Sequence, residues 1–153
     1  MKTRLNVKKA ILWSIVLCVI QMILGNLLYM NPIVMGINER FAGYPSIKSF
    51  DFIGGLGNWI LLTMIFGIFM LAFWIFLYNL LYNSLPGKKW VKGLSFGLLI
   101  GFIRSVPEAF NQWMVIDYPV PLILVQLFNT FVSLIIFGAL LGFIFYKFKV
   151  IEE

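Results

Sequence analysis

Four apolar runs limit what this chain can fold into. They cover residues 10–30, 53–82, 90–113 and 121–146, and a helix of about 20 apolar residues is long enough to cross the hydrocarbon core of a bilayer. The runs predict an all-α polytopic membrane protein, a bundle of four transmembrane helices forming one domain over residues 1–153. Charged residues make up 12% of the chain, where a soluble domain carries about twice that share. Mean hydropathy is +0.96.

The 12 Lys and Arg residues outnumber the 6 acids and collect at the ends of the runs. There they set orientation and attract anionic headgroups, rather than reading nucleic acid. Lys2, Arg4, Lys8, Lys9, Lys88, Lys89, Lys92, Lys147 and Lys149 fall on one side of the predicted bundle. Arg40, Lys48 and the embedded Arg104 fall on the other. The asymmetry predicts an inner-membrane, multi-pass protein with both termini in the cytoplasm.

The residue inventory removes several chemistries. The chain has no histidine, which excludes histidine-ligated haem, zinc sites built on histidine, and histidine acid–base catalysis. Its one cysteine, Cys18, lies inside the first run and reads as a small packing residue. Gly54-Gly55-x-Gly57 lacks the Lys-Ser/Thr that a phosphate-binding loop requires. No catalytic residue, cofactor or metal is therefore implied.

The first run starts as a signal peptide does, behind Lys8 and Lys9, but is too long for one. Leu24-Gly25-Asn26 stands where a small-residue cleavage site would be needed, so the run is expected to remain as a span. Asn31-Pro32 ends it, because the residue before proline is pushed out of helix. Residues 36–51 are expected to form the one substantial loop, with a turn at Gly43-Tyr44-Pro45-Ser46 and Phe41, Tyr44 and Phe50 at the interface. Lys8-Lys9 and Lys88-Lys89 each open an out-and-back hairpin, a faint parallel repeat.

The third run holds the main constellation. At about 100° per residue, Gly93, Gly97, Gly101, Arg104, Glu108 and Asn111 share a stripe roughly 80° wide. Close packing and polarity thus belong to one face, with Gly138 and Gly142 of the fourth run as the counterpart of the glycines. Arg104 lies 12 residues past Lys92, roughly 18 Å along a helix, and Gln21 lies equally far past Lys9. Asn58 and Asn129 fall about 9 and 12 Å below the outer ends of their own helices. Together Arg104, Glu108, Gln21, Asn58 and Asn129 predict one polar layer in the outer half of the bundle.

An arginine in a span costs about 2.5–3.5 kcal/mol even on insertion scales. Arg104 is therefore expected to face protein, with Glu108 one turn on as its neutralising partner. Ser105-Val106-Pro107-Glu108 also fits a capping box with proline in the first turn, which would break or kink the helix there. The layer has two readings: a cavity open to the outside that binds an anionic or lipid-like group, or a hydrogen-bond cluster that fixes helix register.

Leu85-Pro86-Gly87-Lys88-Lys89, then Lys92-Gly93-Leu94-Ser95-Phe96-Gly97-Leu98, Val106-Pro107 and Phe137-Gly138 to Gly142 resemble a run in uncharacterised small four-helix bacterial membrane proteins. The resemblance covers about 60 residues of the second half. It implies the four-span architecture and no activity.

Small size, little extramembrane mass and no chemistry-bearing set point to a non-catalytic protein, an accessory, assembly or interaction subunit of a membrane complex. Its partners would be the bilayer and either another membrane protein or a second copy. The alternative is a small oligomeric transporter or channel using the layer around Arg104 and Glu108. An intramembrane enzyme ranks third, since no nucleophile faces Glu108 or Asp117.

Overall fold

The computed structural model describes residues 4–41, 43 and 50–152. Its four long helices are α1 (Val7–Tyr29), α3 (Leu56–Leu81), α4 (Trp90–Met114) and α5 (Val120–Phe148), each long and apolar enough to cross a membrane. At 1.5 Å per residue they run from about 34 to 44 Å, so they tilt or project beyond a core of about 30 Å. The protein is an all-α, multi-pass membrane protein.

Residues 32–40 correct the expected loop. They form a short helix, α2 (Pro32–Arg40), with the Asn31 side chain accepting a bond from the Val34 N–H at 3.1 Å. Asn at the cap and Pro at the first position make a helix start, so the dipeptide that ends α1 also begins α2. A single 3-10 turn, Phe50–Ile53, leads into α3. Of the expected turn at residues 43–46, only Gly43 lies among the described residues, and Tyr44 lies outside them.

α4 is also unbroken. Pro107 lies inside it, and Ser105 and Glu108 follow Arg104 on the same continuous helix. The capping box is not used: the Ser105 hydroxyl has no hydrogen-bond partner.

The tightest packing joins α4 to α5, at the glycines. A Cβ added at Gly97 would lie 2.5 Å from the Leu134 carbonyl oxygen, and one at Gly142 would lie 2.6 Å from that of Trp90. Gly93 faces Gly138 and Gly142 just as closely, while Gly101 has more room, with the Phe131 ring 3.1 Å from its would-be Cβ. In lipid, where apolar burial adds little, such close approach drives helix association.

α1 packs against α3 and α5. At the lysine-rich end α3 joins the α4–α5 pair through rings: Tyr78 lies 5.2 Å from Phe96 and 5.0 Å from Phe145, and Trp74 lies 6.5 Å from Phe96. The core therefore sits toward that end, around Leu17, Ile75, Tyr78, Phe96, Phe137 and Leu141. The N-terminal half of α3 is different, with no buried residue from 57 to 70.

Both ends of the described chain meet at the lysine-rich end of the bundle. Arg4 and Leu5 pair antiparallel with Glu152 and Ile151, and the Asn6 N–H donates to the Val150 carbonyl at 3.0 Å. Lys9 Nζ donates to the Phe148 and Lys149 carbonyls, capping the end of α5. Ends on one side require an even number of crossings, as four helices provide.

Candidate functional site

At the end of the bundle away from the paired termini, α1, α4 and α5 enclose a polar cavity of about 360 Å³. α4 supplies Arg104, Ser105, Glu108, Ala109 and Gln112; α5 supplies Gln126, Leu127 and Thr130; α1 supplies Tyr29. The arrangement follows from helical spacing. Ser105, Ala109 and Gln112 recur along one face, Gln126 and Thr130 lie one turn apart, and Tyr29 ends α1 at the same height.

Most of the neutral groups are tied to one another. Gln112 Nε2 donates to Gln126 Oε1 at 3.0 Å, and Gln126 Nε2 donates to the Tyr118 hydroxyl at 2.9 Å. This chain links the end of α4 to the start of α5. Tyr29 and Thr130 share a hydrogen bond of 3.3 Å between their hydroxyls, linking α1 to α5.

The charged groups are not tied. Arg104 and Glu108 line the same cavity one turn apart, yet neither forms an ion pair or hydrogen bond among the described residues. The expected Arg104–Glu108 pair is absent. Beside them Ser105 is 3% exposed and its Oγ has no partner. A buried hydroxyl without a bond is costly, and this one lines a space large enough to admit a ligand.

Gln21, Asn58 and Asn129, expected in the same layer, do not line the cavity. Gln21 is bound to α5: it accepts from Ser133 Oγ at 2.7 Å and donates to the Ser133 carbonyl at 3.5 Å. Asn129 is 4% exposed and donates to the Leu28 carbonyl at 2.9 Å. That carbonyl would ordinarily bond the N–H four residues on, which Pro32 lacks. Asn31 Nδ2, at 2.8 Å, and Asn129 together satisfy it. Asn58 lies in the first turn of α3 and donates to the Ile53 carbonyl at 3.1 Å, holding the turn that enters the helix.

No family model, curated protein or solved structure matches the chain. The cavity's meaning rests on its own geometry.

The predicted layer thus divides. Gln21 and Asn129 make inter-helix bonds and Asn58 holds the entry to α3, whereas Arg104 and Glu108 line the cavity beside Ser105. Sequence reasoning did not find Tyr29 or Thr130. Their signal is weak, because a Tyr at the end of a span reads as an interfacial anchor and a Thr in an apolar helix reads as a packing residue.

Proposed function

We propose that this chain is a non-catalytic membrane protein that holds an anionic, headgroup-like group in the outer cavity. One observation supports this above the rest: Arg104, an exposed cation in a span rather than one turned into protein as expected, has no ion-pair partner among the described residues and lines a cavity that contains an unbonded buried hydroxyl. Ionisable groups at such depth tend to mark ligand sites. Below the cavity the glycine seam brings the α4 and α5 backbones into contact and leaves no passage between those two helices, which favours binding over conduction through one protomer. Transport would need a second copy.

Native mass spectrometry of the protein purified in mild detergent tests the reading. Retained phospholipid should fall sharply with Arg104→Ala and persist with Gln21→Ala, whose role is confined to the α1–α5 bond. Equal retention by both variants would count decisively against an Arg104 site.

A second reading, an accessory or assembly subunit, draws on a different observation. The outer half of α3 presents Trp59, Leu61, Ile65, Phe66 and Phe69, all more than two-fifths exposed, where another helix could pack. A monodisperse monomer with no companion in mild detergent would argue against it. In either reading the lysine-rich end is cytoplasmic, by the charge asymmetry.

A further inference from the structure

The cavity has a neighbour. Phe102, Val106, Leu124, Phe128 and Phe131 line an apolar cleft of about 520 Å³, and Leu127 lines both spaces. On α4, Phe102 and Val106 lie round the helix from Arg104 and Glu108. Polar cavity and apolar cleft therefore flank the same α4–α5 pair and share Leu127.

We propose that the two spaces form a single site for a zwitterionic aminophospholipid. Its phosphate would lie on Arg104 and Ser105, its primary ammonium on Glu108, and an acyl chain along the cleft. This rests on the reading of the cavity as an anion site and specifies the ligand.

Charge decides first. Arg104 and Glu108 stand in one cavity without pairing, so the space is neutral overall but polarised. A simple anion satisfies the guanidinium and leaves a carboxylate facing it. A molecule carrying both charges satisfies both groups.

The order of the charges along the bundle decides next. Arg104 lies roughly 18 Å beyond Lys92, and Glu108 about 6 Å further toward the α4–α5 turn. In a phospholipid of that leaflet the phosphate is deeper and the amine nearer water, which is the same order. The orphan Ser105 Oγ supplies a donor beside the arginine, where a phosphate oxygen can accept.

The amine's substitution follows from the lining. Quaternary ammonium groups are recognised by cages of aromatic rings, and among the described residues Tyr29 is the one aromatic side chain that lines the cavity. Glu108 instead offers hydrogen-bond acceptors, which suit a primary ammonium. For the tail, Leu124 to Phe131 covers eight residues of α5, a rise of about 10 Å along the apolar wall of the cleft.

The test uses the full chain in nonionic detergent, titrated with short-chain phosphatidylethanolamine, phosphatidylcholine and phosphatidylglycerol. The parent protein should bind the ethanolamine lipid about tenfold or more tightly than either of the others, the factor one charge-assisted hydrogen bond supplies. Glu108→Gln should abolish that preference and leave phosphatidylglycerol binding intact or stronger. Arg104→Ala should abolish binding of all three, with Arg104→Lys as the variant that keeps the charge should the alanine form fail to fold. Val106→Trp, which fills the cleft, should weaken the lipid but not headgroup-only glycerophosphoethanolamine.

A parent that favours phosphatidylglycerol, or a Glu108→Gln protein that keeps the ethanolamine preference, overturns the zwitterionic assignment and leaves the anion site standing. Binding of all three lipids that is indifferent to Arg104→Ala and Arg104→Lys, or no binding at all, overturns both.

Discussion

Asn129 and Ser105 are both buried polar residues in spans, 4% and 3% exposed, yet their situations are opposite. Asn129 completes a carbonyl that proline strips of its own donor. Ser105 has nothing to complete. Truncating Asn129 to alanine should therefore cost about 1 kcal/mol, the scale of hydrogen bonds between helices in membranes. Ser105→Ala should be neutral or stabilise by up to about 1 kcal/mol, since no bond is lost and an unbonded buried hydroxyl is removed. Thermal unfolding of the two variants in the same detergent checks this, and equal losses would mean that Ser105 is a structural residue after all. Their difference was not legible in the chain. Counting residues from a boundary lysine gives a side chain's height in the bundle, but not which neighbour it turns toward. Gln21 and Arg104 were correctly related to their lysines and still face different partners. Asn58 was misplaced for a simpler reason: the helix begins at Leu56, so it lies in the first turn rather than in a layer.

At the scale of elements, the apolar runs announced the four long helices, because length and hydropathy alone require them. What they left open was decided by local chemistry. Asn31-Pro32 looked like a stop and is also a start, since the same asparagine that leaves α1 caps α2. Pro107 looked like a break and is carried within α4; in spans, neighbouring helices and side chains tolerate a proline that water would not. The α4–α5 seam is where substitution should bite hardest. Gly97→Val would drive a side chain into the backbone of Leu134 and Gly138, and overpacking of this kind costs about 1–3 kcal/mol or more. Gly25→Ala is the control, because nothing lies within 4 Å of its would-be Cβ. It should be neutral or stabilise α1 by up to about 1 kcal/mol. Unfolding midpoints of the two variants give the comparison, and an intact Gly97→Val protein would mean the helices are not held this closely.

For the molecule as a whole, the paired ends make topology testable without knowing the ligand. Single cysteines introduced as Lys8→Cys and Lys149→Cys, in a Cys18→Ala background, should react with an impermeant maleimide from the same side of the membrane. Labelling from opposite sides would remove one span from the fold. The Gln21–Ser133 bond joins residues 112 positions apart, and this bears on how the protein is made. When α1 first enters the bilayer, the helix that will receive its amide has yet to be synthesised. The α4–α5 hairpin, by contrast, can close as soon as its own glycines meet. The oldest helix can meet α3 early, but its bond to α5 must therefore form last, with Gln21 lacking Ser133 until the final helix is made.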